Sequence, residues 1–294
     1  MKFVIALDGS PQAAVAAALV RSLALGPSDE VILASVVTPP VILGAWGYVQ
    51  LQATARAVEA MTQAAREEAE GIVAGEAGHF AGMTCGVDTR VPEGHPLERL
   101  VALVTEIGAD VVAVGPHGRD RLAALLLGSI TNGLLQAMPS AVLVARSPVR
   151  APRRVLFATD GSPSSAAAAA LLARLPLPPD AQILIVTCVS HREGPGREPI
   201  ATALRDHAEA ALGQAVALLR APGRHVRTEV LEGPVKEQIL IAAEEDRSDL
   251  IVMGSRGLGG FRGLILGSVS RAVSKAARVT TLVVPEAWAR RHGA

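Results

Sequence analysis

The 294-residue chain predicts an α/β fold of two tandem domains, each a doubly wound, five-stranded parallel sheet of the flavodoxin or Rossmann kind. Three observations carry this. Half of the residues are hydrophobic but only 2% are aromatic, so the core must come from Ala, Val, Leu and Ile. Val and Ile favour strands, Ala and Leu favour helices. The length suits two domains of about 150 residues. Finally, one ordered set of segments occurs twice, the mark of a duplicated unit.

The repeat gives the elements in order. Phe3–Pro11 (FVIALDGSP) returns as Val155–Pro163 (VLFATDGSP), and each predicts a first strand turning into a helix. Ser10-Pro11 and Ser162-Pro163 supply a cap followed by Pro at the first helical position. The first helix is expected over Gln12–Leu25. Val31–Val37 returns as Ile183–Val189, the second strands. Second helices are expected over Thr54–Gly75 and Ile200–Leu219. Val91–Pro96 returns as Val230–Val235, with third helices after Gly94 and Gly233. The fourth strands, Asp110–Gly115 and Asp249–Gly254, lead to helices after Gly128 and Gly267. The closing strands are Ala141–Ala145 and Thr280–Val284. The strands are short apolar runs without clean alternation, as expected when helices cover both faces. Domains are expected over 1–148 and 153–294, joined by a proline-containing linker whose basic cluster, Arg146, Arg150, Arg153 and Arg154, reads as solvated. The segment Thr38–Gln52, with Trp46 and Tyr48, fits no element; a lid, an interface and a plain insertion all suit it.

Charge and cysteine usage narrow the class. Basic and acidic residues number 28 each, so nothing draws nucleic acid or an anionic membrane to the whole chain. Cys85 and Cys188 are far apart and lack a CxxC partner, which argues against a disulfide framework or a cysteine zinc site. The apolar run Phe3–Leu7 is shorter than the core of a secretion signal, so a cytoplasmic protein without membrane segments is expected.

The chemistry is carried by glycines. Gly115-Pro-His-Gly118 is followed by nine residues and then Gly128-Ser129. Gly254-Ser-Arg-Gly257 is followed by nine residues and then Gly267-Ser268. Each motif begins where the fourth strand ends, the place at which open α/β sheets bind ligands. Glycines there let backbone N–H groups approach a ligand, and a serine at the N-cap of the next helix adds a hydroxyl. Such a helix start binds anions, phosphate above all.

The chain resembles tandem universal stress proteins, whose ATP-binding signature is this same G-2x-G-9x-G-S/T spacing. The resemblance implies that Asp8 and Asp160 lie beside a ribose and that the backbone at Val36 and Cys188 meets adenine. It implies phosphate contacts from Gly115, Gly118, Gly128, Ser129 and Thr131 in the first half, and from Gly254, Gly257, Gly267, Ser268 and Ser270 in the second. For the aspartates, an Asx-turn role is the alternative. ATP is the implied cofactor, with magnesium as a candidate counter-ion. The resemblance also implies that the closing strands pair within the chain as a pseudo-dimer; association of two such chains as a homodimer is a separate question that the sequence leaves open.

The halves differ. Pro116 and His117 replace Ser and Arg in the first motif, and Pro116 brings no N–H to a phosphate. The second site is therefore expected to be the stronger. No P-loop, metal-binding or catalytic histidine motif occurs, so a nucleotide-dependent regulatory protein is expected rather than an enzyme. A slow ATPase or nucleotidyl-transfer enzyme and a structural dimerisation module with empty pockets are the alternatives.

Overall fold

The computed structural model describes residues 1–40, 48–118, 127–137, 139–146, 149–189, 198–221, 224–258 and 266–293. Residues 41–47 of the segment 38–52, the stretch 119–126, the loop glycines Gly259 and Gly260 and residues 147–148 of the linker lie outside them.

The first half runs β1 (Lys2–Ala6), α1 (Pro11–Arg21), β2 (Glu30–Ala34), α2 (Tyr48–His79), β3 (Gly86–Arg90), α3 (Pro96–Ile107), β4 (Val111–Val114), α4 (Ser129–Ala137) and β5 (Ala141–Val144). The second repeats it as β6 (Arg154–Ala158), α5 (Pro163–Arg174), β7 (Gln182–Val189), α6 (Glu198–Leu219), β8 (His225–Glu232), α7 (Val235–Glu245), β9 (Leu250–Gly254), α8 (Ser268–Ala276) and β10 (Thr280–Val284). It then adds α9 (Glu286–His292), which has no counterpart among the described residues of the first half.

Each half has the strand order 3-2-1-4-5, all parallel, and the two closing strands pair antiparallel, with Leu143 opposite Leu282. One ten-stranded sheet results, with β3 and β8 at its edges. Its faces are covered separately. Phe3, Ile5, Phe157 and Ile185 pack with α1, α2, α5, α6 and α9. Val4, Val112, Leu156 and Ile251 pack with α3, α4, α7 and α8. Residues alternate between two buried layers, which is why the strands read as continuous apolar runs.

Local chemistry sets the helix ends. Ser10 Oγ accepts from the Ala13 N–H at 3.1 Å, and Ser162 Oγ accepts from the Ser165 N–H at 3.3 Å, so both expected caps are formed. The first helix ends at Arg21, short of the expected Leu25. The last turn tightens there, with Leu23 N–H donating to Val20 O at 3.1 Å and Ser22 Oγ to Leu19 O at 2.7 Å, and the Ala24 N–H reaches the Pro176 carbonyl of the other half. In contrast α2 runs past Gly75 to His79, since a Cβ at Gly71, Gly75 or Gly78 would meet nothing within 4 Å and nothing reverses the chain there.

The basic cluster is not a solvated linker throughout. Arg146 is largely buried at the seam between the halves, where Nη2 donates to the Ser274 carbonyl at 2.8 Å and burial pushes its guanidinium below the usual range. Arg154 opens β6 and pairs with Asp246 at 2.9 Å. Pairing of β5 with β10 draws Arg146 into the seam, whereas Arg154 is held within the second half.

Candidate functional site

With strand order 3-2-1-4-5, successive crossovers leave the sheet in opposite directions from the first strand, opening a crevice between β1 and β4 and between β6 and β9. A cavity of about 480 Å³ lies in the first crevice, lined by Asp8, Val36, Gly115, Gly118, Gly128, Ser129 and Thr131. One of about 400 Å³ lies in the second, lined by Asp160, Cys188, Gly254, Gly257, Gly267, Ser268 and Ser270. All the residues singled out by the sequence are thus gathered, seven to a cavity, and both volumes suit a small organic ligand.

The three glycines of each motif have separate reasons, and none is a positive φ. A Cβ on Gly254 would stand 2.7 Å from the backbone of Ser164 and Ser165, and one on Gly115 would stand 2.8 Å from Gln12 Cβ. The strand-end glycine therefore lets the first helix approach the sheet. A Cβ on Gly257 would fall 2.5 Å from Asp160 Oδ2. On Gly118 it would fall 2.3 Å from Asp8 Oδ2. The second glycine therefore makes room for the aspartate. The third, Gly128 or Gly267, crosses closely over the first loop, where Gly267 N–H donates to Ser255 O at 2.7 Å and Gly128 N–H to Pro116 O at 2.8 Å.

The helix start differs from expectation by one residue. Gly267, with φ −74° and ψ 161°, is the N-cap of α8, and Ser268 is the first helical residue. In the first half Asn132 N–H donates to Gly128 O, which marks Gly128 as the equivalent cap. A glycine cap offers no side-chain acceptor, so α8 has no side-chain cap hydrogen bond. Its first N–H groups stay available to an anion, an arrangement that a serine cap would have partly closed. Thr131 and Ser270 are occupied otherwise: Thr131 Oγ1 donates to Gly115 O at 2.8 Å, and Ser270 Oγ to Ser255 O at 2.7 Å. These two buried hydroxyls brace the helix against the strand-end loop.

Both aspartates make the Asx-turn and also face the cavity. Asp8 Oδ1 accepts from Ser10 N–H, and Asp160 Oδ1 from Ser162 N–H, each at 3.0 Å. Asp160 Oδ2 also accepts from the Leu258 N–H at 3.0 Å, which ties the glycine loop to the first strand. Each carboxylate oxygen keeps a second lone pair for a hydroxyl donor.

The ends of the second strands leave backbone groups unused. Ala34 O accepts from Leu7 N–H, whereas the N–H groups of Ser35 and Val37 donate to Arg90 and Pro92. Even positions of this strand therefore face β1, which has ended before Val36, so the Val36 N–H and C=O face the crevice without a partner among the described residues. In the second half Val186 O accepts from Thr159 N–H and Val189 O from Gly233 N–H, which places Cys188 in the same position. Burial pushes the Cys188 thiol up to about 11, so it presents a neutral wall rather than a nucleophile.

Pro116 costs the first site something other than a phosphate donor. The matching N–H, that of Ser255, donates to Val284 O at 2.8 Å inside the sheet, so it is not offered to a ligand in the second half either. His117 and Arg256 occupy matching places in the two cavities. His117 Nδ1 is buried without a partner among the described residues, whereas Arg256 Nη2 pairs with Glu286 Oε2 at 3.0 Å. Glu286 was not foreseen, because α9 falls beyond the repeat. Pro285, the acidic first turn and Arg290, Arg291 and His292 in the last turn were the available signal.

A doubly wound sheet with a glycine-lined cavity at each switch point defines a tandem α/β protein of two like domains. The chain belongs to the Universal stress protein family, whose sequence profile matches residues 1–146 and 152–285. Universal stress protein Rv2005c of Mycobacterium tuberculosis is 33% identical over 201 residues, covering 64% of this chain and 65% of the relative. Universal stress protein Slr1230 of Synechocystis is 29% identical over 174 residues, 59% of this chain and 57% of its own length. The chain thus matches slightly under two thirds of the length of these relatives. Among solved structures, a universal stress protein from Archaeoglobus fulgidus DSM 4304 shares the fold with TM-score 0.57 and 19% identity, over 96% of this chain and 95% of that one. A functionally unknown protein, PA1789, from Pseudomonas aeruginosa PAO1 does so with TM-score 0.59 and 14% identity, over 99% and 95%. No helix among the described residues is long and apolar enough to cross a membrane.

Proposed function

We propose that this chain is an adenine-nucleotide-binding regulatory protein of the stress response, with ATP held most firmly in the second cavity. The observation that carries the reading is the α8 start: a glycine cap without a side-chain acceptor, opening into a cavity that also holds a carboxylate and free strand-end backbone. Phosphates would take the N–H groups of Ser268, Val269 and Ser270, where the helix dipole favours negative charge. The ribose hydroxyls would donate to Asp160, and the adenine edge would pair with the backbone at Cys188. Val186, Val235, Ile239 and Met253 supply an apolar wall for the base. Magnesium would enter with the phosphates as their counter-ion.

The role is regulation rather than turnover. Phosphoryl transfer needs a base or a positioned water, and Asp160, the carboxylate lining this cavity, is taken here by the ribose. Gly267→Val tests the reading. A branched side chain there stands 3.2 Å from Ser255 O at its first carbon and extends over the helix start. Titration calorimetry with MgATP should show the stronger site abolished while the weaker one at Gly128 persists. Undiminished binding in both sites would contradict the assignment.

A further inference from the structure

The final helix connects the second cavity to the other half of the molecule. At its first turn Glu286 holds Arg256, which lines the cavity, at 3.0 Å. At its last turn Arg291 Nη2 donates to the Pro139 carbonyl at 2.8 Å and to Ser140 Oγ at 2.9 Å, both just before β5 of the first half. His292 Nε2 lies 2.7 Å from Asp110 Oδ1, at the foot of β4. His292 Nδ1 meanwhile donates to the Trp288 carbonyl at 2.7 Å. Asp110 Oδ2 accepts from Lys2 N–H, which anchors the contact on β1 as well. The seven residues of α9 span about 10 Å and so reach from one domain's cavity to the other's sheet.

The middle of the helix is packed but incompletely satisfied. Trp288 is fully buried, stacks on His292 with centroids 4.2 Å apart and lies under the Arg174 guanidinium at 5.4 Å. Its indole Nε1 has no acceptor among the described residues. A buried unpaired donor favours any shift that supplies a partner.

We propose that α9 is a coupling strut: Glu286 holds Arg256 while the second cavity is empty, and phosphate entering the cavity recruits Arg256, releases Glu286 and shifts the seat of α9 on the first domain. The proposal rests on the nucleotide reading above. A phosphate and Glu286 both draw on the Arg256 guanidinium, so the two compete for its charge, and linkage makes the competition reciprocal. Contacts of α9 with Asp110 and Ser140 then influence affinity at a cavity that neither residue lines. The first half has no such helix among its described residues, because its chain passes from β5 into the linker and β6, so only the second site reports across the seam.

The test uses the full chain carrying Trp46→Phe, which leaves Trp288 as the single indole. MgATP should change Trp288 emission as the second site fills. Glu286→Gln should raise ATP affinity by about two- to fivefold, the range for a half-exposed ion pair, and shrink the emission change. His292→Ala should raise affinity about twofold from the far end, and Asp110→Asn, which keeps the Lys2 hydrogen bond, should do the same. Wild-type affinity in all three variants, or an unchanged Trp288 signal at saturating ATP, overturns the strut. Failure of the unsubstituted chain and of every variant to bind ATP overturns the nucleotide reading, and the strut with it.

Discussion

Adding one methyl group should have opposite effects at two glycines of this chain. At Gly254 the new Cβ would lie 2.7 Å from both the Ser164 carbonyl carbon and the Ser165 nitrogen. That is about 0.8 Å inside a normal carbon contact, and the obstacle is backbone at the start of α5 rather than a movable side chain. The first turn of α5 or the end of β9 must retreat, at a cost of about 1–3 kcal/mol for overpacking. At about 2–4 °C per kcal/mol for a domain of this size, Gly254→Ala should lower Tm by roughly 2–12 °C. At Gly75, inside α2, a Cβ meets nothing within 4 Å. Gly75→Ala should therefore add about 0.5–1 kcal/mol, the ordinary advantage of alanine over glycine in a helix. Urea and thermal unfolding would compare the two, with Trp288 emission following the second domain. Equal or greater stability of Gly254→Ala relative to the parent would refute the close-approach account of the motif.

Other expectations concern the cavity walls. Asp160→Ala removes the ribose acceptor and frees the Leu258 loop, so ATP affinity should fall about 10- to 100-fold, as for a hydrogen bond to a charged group; calorimetry with ATP and 2′-deoxy-ATP measures it, and unchanged affinity would remove Asp160 from the site. Cys188 should react slowly with iodoacetamide in the folded protein at pH 8 and quickly once unfolded, as peptide mapping would show. Its folded value of about 11 lies above the 9.0 of the free thiol. As pH rises past about 9, the unfolded chain loses the proton first, so stability should fall from there toward pH 11. Cys188→Ala should flatten that decline, and a rise in stability over the same window would contradict the sign.

The duplicated architecture was legible because its signals are local and repeated. Phe3–Leu7 and Val155–Ala158 are apolar at every position since helices cover both faces of the sheet, and Ser10-Pro11 and Ser162-Pro163 name their own helix starts. The glycine motifs placed both cavities for the same reason. Finer geometry was less legible. Serine outranks glycine as a cap, so Ser129 and Ser268 looked like caps, yet the tight crossing over the first loop reserves that place for Gly128 and Gly267. Pro116 looked like a lost phosphate donor until the matching Ser255 N–H proved to belong to the sheet. Gly75 read as a helix end, although glycine with open space and no chain reversal merely weakens a helix. The Arg256–Glu286 pair joins residues 30 apart, and α9 has no twin among the described residues of the first half to reveal it. Repetition exposes what is shared between the halves and is silent on what distinguishes them.

Nucleotide content of the purified protein tests the central claim most directly. The chain would be isolated under native conditions, denatured, and the released small molecules identified by mass spectrometry and quantified against protein. The account predicts an adenine nucleotide, chiefly ATP, approaching one equivalent per chain from the second cavity and lost in Gly267→Val. A correctly folded protein that releases no nucleotide and takes up none when MgATP is supplied would contradict it.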